Sequence, residues 1–124
     1  MEEIDQQVVD HPDEHILNGG GVIIMAEYNG EVAGTCALIN EGDGIYELTK
    51  MAVDEKFRGL KIGNKLCLAI IDRAKALNAK KIILFSNTKH SAVAIDIYRK
   101  MGFKEVALTN PLYQRADIQM EIQL

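Results

Sequence analysis

Phe57-Arg58-Gly59-Leu60-Lys61-Ile62-Gly63-Asn64-Lys65-Leu66 lies between a strand-like stretch, Ile45–Val53, and a helix-like stretch, residues 64–77. Its two glycines let the backbone come close to a ligand. A helix starting here would aim unpaired N–H groups and the positive end of its dipole into the loop. Lys56, Arg58, Lys61 and Lys65 crowd into this segment of a chain that carries 14 Lys plus Arg against 18 Asp plus Glu. Local positive charge in a net-acidic protein points to a small, localised, phosphate-bearing ligand.

Upstream of the loop the pattern is that of an antiparallel meander. Residues 22–28 are strand-like, Asn29-Gly30 is a strong hairpin signal, and residues 31–40 return. Glu41-Gly42-Asp43-Gly44 makes a second turn into Ile45–Val53. Downstream, Leu66, Ile70, Ala74 and Leu77 recur at helical spacing, with Asn78 at the expected stop. The apolar run Ile82-Ile83-Leu84-Phe85 reads as a strand buried on both faces and parallel to the one before the helix. A second helix over 91–101 ends at Gly102, and strands over 103–108 and 117–124 close the chain. Residues 2–17 read as short amphipathic helical turns interrupted at Pro12. The whole chain, 1–124, is expected to be one α+β domain built on a mixed sheet.

Composition narrows the partners. A formal charge of −4 over 124 residues disfavours nucleic acid and membrane surfaces, which want a basic face larger than one loop. Cys36 and Cys67 lie far apart in apolar segments and read as reduced core thiols, and no metal-ligand spacing occurs. Without a membrane span or signal peptide in the sequence, a cytoplasmic location is expected. A nucleoside triphosphate loop needs four residues between its glycines and then Lys with Ser or Thr; here Leu60-Lys61-Ile62 separates Gly59 from Gly63, and Asn64-Lys65-Leu66 follows. The dinucleotide pattern G-x-G-x-x-G is also missing.

Three stretches in order, Leu48-Thr49-Lys50-Met51-Ala52-Val53, Arg58-Gly59-Leu60-Lys61-Ile62-Gly63 and Ala94-Ile95-Asp96-Ile97-Tyr98-Arg99-Lys100-Met101-Gly102-Phe103, resemble the GNAT superfamily of acyl-CoA-dependent N-acyltransferases. The likeness covers residues 22–124. It implies a GNAT-like three-layer αβα fold with an antiparallel meander, a β-loop-α-β unit, and a C-terminal helix and strand pair. The usual first strand is expected to be missing, which would leave an open sheet edge and a homodimer as its natural cover. By the same resemblance the activity is acetyl transfer from acetyl-CoA, without a metal, to a primary amine of a small molecule or peptide. A catalytically weak or inactive acyl-CoA-binding module is the alternative.

The resemblance also distributes roles. The backbone of Met51, Ala52 and Val53 would pair with the pantetheine arm after a bulge near Met51, and Arg58, Gly59, Leu60, Lys61, Ile62, Gly63 and Asn64 would bind pyrophosphate. Tyr98 would protonate the departing thiolate and Glu47 would serve as base, with Asp43, Asp96 or exchange with solvent as other routes. Asn87 or Ser91 would stand in for an asparagine that the family often carries before the tyrosine. Lys61 replaces the first signature glycine of the loop. A right-handed backbone there would avoid the strain of lysine at positive φ. His11, His15 and His90 lie outside every motif.

Overall fold

The computed structural model describes residues 19–108 and 116–124, and the backbone of 5–8. Its strands are β1 (Asp5–Val8), β2 (Val22–Tyr28), β3 (Glu31–Gly42), β4 (Ile45–Val53), β5 (Lys81–Ser86), β6 (Lys104–Val106) and β7 (Ile118–Gln123); its helices are α1 (Ile62–Ala76) and α2 (Ala92–Met101). They form one sheet in the order β1-β2-β3-β4-β5-β7-β6. All neighbours are antiparallel except β4 and β5, which run parallel through Ile45↔Lys81 to Leu48↔Leu84. A mixed α+β sheet of the expected kind results, with β7 inserted between β5 and β6.

Local chemistry accounts for the elements. Asn29 and Gly30 both take positive φ, 52° and 79°, as a two-residue turn between right-twisted strands requires. Helix α1 buries Ile62, Leu66, Cys67, Ile70, Ile71 and Ala74, a stripe at three- and four-residue spacing. It stops at Asn78, whose φ is 61°; the N–H of Ala79 then donates to the carbonyl of Ala74 at 3.0 Å, satisfying an orphan acceptor of the last turn.

A first strand is present, contrary to expectation. Asp5–Val8 pairs antiparallel with β2, Asp5 opposite Glu27 and Val8 opposite Ile24. An edge strand is held by backbone hydrogen bonds on one side, so Asp-Gln-Gln-Val needs no apolar alternation to form one, and a reading by periodicity misses it. The β2 edge that was to invite a second copy is therefore covered. The rest of the helical reading of 2–17 lies outside the described residues, apart from 5–8.

One core joins α1 and α2 to the sheet through Ile24, Cys36, Leu38, Leu48, Leu66, Ile70, Ile82, Leu84, Ile95, Tyr98 and Met120. Both described helices thus lie on one face. The other face carries a smaller cluster of Ile23, Ala37 and Ile39, and an expected third layer over it lies outside the described residues. Cys36 and Cys67 are free and buried, as read from the sequence. Among the described residues, no helix is long and apolar enough to cross a membrane.

Candidate active site

The site is made where β4 leaves β5. Their ladder ends at Leu48↔Leu84, while β5 continues through Phe85 and Ser86, paired only to β7. At this point β4 is bulged: Thr35↔Ala52 is followed by Ala37↔Thr49, so β4 spends an extra residue, and Lys50 sits at φ 55°. The bulge inverts the phase of the strand. Before it Tyr46 and Leu48 point into the helix-side core; after it Met51 and Val53 do.

The separation opens a cavity of about 570 Å³. Glu47, Leu48, Thr49, Lys50 and Met51 of β4 form one wall, and Leu84, Phe85, Ser86 and Asn87 the opposite one. Ser91, Ala94 and Tyr98 close the helix side, and Ala116 completes the lining. Alternation along β4 places Glu47 on the face opposite Tyr46 and Leu48, and its cross-strand neighbour Ile39 belongs to that second face. The slot therefore reaches through the sheet, with a buried carboxyl on one side and a buried phenol on the other. Glu47 is 6% and Tyr98 5% exposed.

Tyr98 packs against Phe103 with ring centroids 5.6 Å apart. Burial raises its phenol pKa above the ordinary value, and the nearby thiols Cys67 and Cys36 add to the effect. It stays protonated at neutral pH. The same burial pushes the Cys36 and Cys67 thiols to about 12.

The turn that forms the far wall is tightly built. The side-chain oxygen of Asn87 accepts from the N–H groups of Lys89 at 2.9 Å and His90 at 3.2 Å, and its carbonyl accepts from Ser91 N–H at 2.8 Å. Asn87 thus lines the slot while capping its own turn. Thr88 donates its hydroxyl and its N–H to the Asp117 carboxylate at 2.6 and 2.8 Å, holding that carboxyl below its usual range. His90 lies in this turn but not on the cavity wall. His11 and His15 lie outside the described residues.

The glycine loop stands beyond the far end of β4. Arg58 pairs with Glu55 at 3.5 Å and Lys56 with Glu31 at 2.9 Å; among the described residues neither Lys61 nor Lys65 forms an ion pair. Lys61 is left-handed, at φ 59° and ψ 31°, not right-handed as the strain argument preferred. It is the residue just before α1, where the chain turns into the helix. Gly63 is helical and small for a packing reason: a Cβ on it would lie 2.9 Å from Ile97 Cδ1 and 3.7 Å from Val53 Cγ2. The helix start is thereby pressed against the end of β4 and the face of α2 that bears Ala94 and Tyr98.

The cavity brings together Glu47, Met51, Asn87, Ser91 and Tyr98 of the residues singled out in the sequence. Ala52, Val53 and residues 58–64 are not on its wall but continue from it along β4 to the helix start. Asp43 lies in the exposed β3–β4 turn, and Asp96 is turned to Lys100 at 3.0 Å; neither reaches the slot. Lys50, Phe85 and Gly34 were not singled out. A Cβ on Gly34 would meet the Ala52 carbonyl oxygen at 2.9 Å and Leu66 Cδ1 at 2.9 Å, so this glycine seats α1 over the bulge. Among the described residues no group of three or more His, Cys, Asp or Glu side chains could hold a metal ion.

A parallel strand pair parted at a bulge, followed by a loop and a helix start at the open end, defines a mixed α+β fold with a slot between its central strands. The chain belongs to the acetyltransferase (GNAT) family, whose model matches residues 2–103. It is similar to an N-acetylaspartate synthetase of Xenopus tropicalis, 30% identical over 109 residues that make up 87% of this chain and 37% of that protein. Against an IAA acetyltransferase of Azospirillum brasilense it is 31% identical over 82% of this chain and 62% of that one. The chain thus spans less than two thirds of these relatives' own length. Its structure resembles that of a GNAT-family acetyltransferase from Staphylococcus aureus at a TM-score of 0.81 and 28% identity, over 90% of this chain and 72% of that one.

Proposed function

We propose that this domain is an acetyl-CoA-dependent N-acetyltransferase that moves an acetyl group to a primary amine by direct attack with both substrates bound. The observation that carries the proposal is the slot through the sheet, with Glu47 on one face and Tyr98 on the other. Family membership supports the donor and the reaction type. The relatives' names carry different acceptors, so none is transferred to this chain, and a cytoplasmic location belongs to the proposal as well.

Acetyl-CoA would supply the activated acyl carbon. The residues present suit it: backbone amides of β4 past Leu48 have lost β5 as a partner, and the first N–H groups of α1, beside Lys61 and Lys65, suit a pyrophosphate. Glu47 takes a proton from the incoming ammonium, leaving an amine lone pair to attack the carbonyl carbon. Amides near Met51 stabilise the charge growing on the carbonyl oxygen. As the carbon–sulfur bond breaks, Tyr98 donates its proton to the sulfur, and the extra proton on the attacking nitrogen leaves as the amide forms, returning the phenol to its protonated state.

A phenol with a raised pKa would be a poor acid toward a thiolate in water, where a thiol sits near 8.5. Inside this core the comparison changes. The Cys36 and Cys67 thiols are pushed to about 12 by burial, so exclusion of water raises the basicity of a sulfur in the same direction as that of the phenol.

The test is thiol release from acetyl-CoA across a panel of primary amines, alongside calorimetric titration with CoA. Tyr98→Phe and Glu47→Gln should each lower kcat about 100-fold or more while changing CoA affinity little, since general acid–base catalysis contributes roughly that much. Full turnover in either variant removes that residue's role. Tight CoA binding with no amine consumed would make this chain an acyl-CoA-binding module.

A further inference from the structure

We propose that the acceptor is an amino acid, an amine carrying a carboxylate a few bonds from its nitrogen, and that Lys50 receives the carboxylate; this rests on the acetyltransferase reading above. The cavity wall carries two side chains of opposite formal charge, Glu47 and Lys50, both on β4. Glu47 is 6% exposed and Lys50 is on the surface. The slot is therefore graded, with its acid deep and its base at the mouth.

The bulge is what puts the lysine there. By strand alternation Lys50 would follow Tyr46 and Leu48 into the helix-side core. Its φ of 55° takes it out of the alternation, and Met51 inherits the core position. A lysine destined for the interior becomes a lysine on the wall.

Three strand steps, roughly 10 Å between Cα atoms, separate Glu47 from Lys50, a span within reach of a long, flexible lysine side chain and a small ligand between them. An amino acid fits this polarity in one orientation. Its ammonium goes inward to Glu47, where deprotonation prepares it for attack, and its carboxylate points outward to Lys50. An amine lacking the carboxylate engages only the inner group. Lys50 does not belong to the phosphate end of the slot: Met51, Ala52 and Val53 separate it from the turn that leads to the helix start, where Lys61 and Lys65 stand. Phe85 on the opposite wall, facing away from the helices by the alternation of β5, offers an apolar surface to the acceptor's side chain.

Calorimetry on the protein saturated with CoA compares matched pairs, L-leucine with isopentylamine and L-phenylalanine with phenethylamine, so binding is read without turnover. The wild-type protein should bind each amino acid at least tenfold more tightly than its decarboxylated partner, a difference of about 1.4 kcal/mol. Lys50→Gly, which suits the positive φ and so preserves the bulge, should bring that ratio near one; Lys50→Arg should keep it. Equal binding within the pairs, no detectable binding of either amino acid, or a preference that survives Lys50→Gly overturns the proposal. Thiol release with the same four amines separates the two readings. Turnover of the plain amines at no disadvantage sinks only the carboxylate assignment, whereas amino acid binding without turnover of any amine sinks only the acetyltransferase reading.

Discussion

Replacing Lys61 by glycine should move stability and coenzyme affinity in opposite directions. At φ 59° and ψ 31° the lysine Cβ crowds its own carbonyl, a conformation that costs roughly 1–2 kcal/mol in a residue other than glycine. Glycine relieves this but gains freedom in the unfolded chain, which takes back about 0.4–1 kcal/mol. The net expectation is a stabilisation of roughly 0.5–1 kcal/mol, or a few degrees in Tm. Substitution by glycine usually weakens a fold, so the sign itself is diagnostic.

The same change removes an exposed ammonium at the helix start. A unit charge about 4 Å from a phosphate oxygen is worth about 1 kcal/mol in water and more where solvent is partly excluded. CoA affinity should therefore fall by about fivefold or more, and its salt dependence should become shallower. Lys61→Arg keeps both the charge and the strained backbone, so it should resemble the wild-type protein in both measurements. Urea melts give the stability and calorimetry at two salt concentrations gives the affinity. A destabilised Lys61→Gly refutes the strain argument; unchanged affinity and salt dependence refute the contact with phosphate.

Gly34→Ala should destabilise the fold by about 2 kcal/mol, because the new Cβ meets a backbone oxygen of Ala52 and two core side chains that cannot all retreat; a melt matching the wild type would contradict the seating of α1 over the bulge. Gly63→Ala should be nearly neutral alone, its gain in helix propensity offsetting the contact with Ile97 Cδ1, and stabilising by up to about 1 kcal/mol in an Ile97→Val background where that carbon is gone. Additivity in this double-mutant cycle would show that the two residues do not press on each other. Alkaline pH should unfold the protein progressively: Cys36 and Cys67 are raised from 9.0 to about 12, so the folded state holds their protons more tightly. The stability this contributes is complete below pH 9 and is lost as pH rises toward 12, by at most about 1.4 kcal/mol per pH unit per thiol. Cys36→Ala with Cys67→Ala should flatten that loss in urea melts between pH 8 and 10.5, and an unchanged slope would count against it.

What the sequence makes readable is what short-range chemistry dictates. Asn29-Gly30 sets its turn by itself, the apolar spacing of Leu66, Ile70 and Ala74 sets α1, and Ile82-Ile83-Leu84-Phe85 has no stable place except inside a sheet. Tyr98 and Glu47 were singled out through the family pattern, and the cavity gathers both on its wall. The features that escaped depend on partners far along the chain. Asp5–Val8 is a strand because β2 offers it an edge, and nothing in its own four residues announces that. Gly34 is small because Ala52, Ile62 and Leu66 converge on it, and the role of Gly63 is decided by Ile97 on another helix. The bulge was expected near Met51 from the resemblance alone; its left-handed residue is Lys50, which by type gives no hint of such a conformation.

That choice of residue bears on function. Five described residues other than glycine have positive φ: Asn29, Asp43, Lys50, Lys61 and Asn78. Asn29, Asp43 and Asn78 are of the types that tolerate the left-handed region, and each lies in a turn or at a helix end, where only chain direction is at stake. The two lysines are of a type that does not favour it, and they stand at the two ends of the path from the slot to the helix start. Together they cost roughly 2–4 kcal/mol, a sizeable share of the 5–15 kcal/mol by which a domain is ordinarily stable. Glycine would remove most of that strain at either position with one substitution. A lysine held there is best explained by what its ammonium does, at Lys61 toward phosphate and at Lys50 toward the acceptor. The double variant Lys50→Gly/Lys61→Gly should then be the most stable form of this domain and the poorest at holding its two substrates; a double variant that is more stable and binds both as well as the wild type would leave the lysines without that explanation.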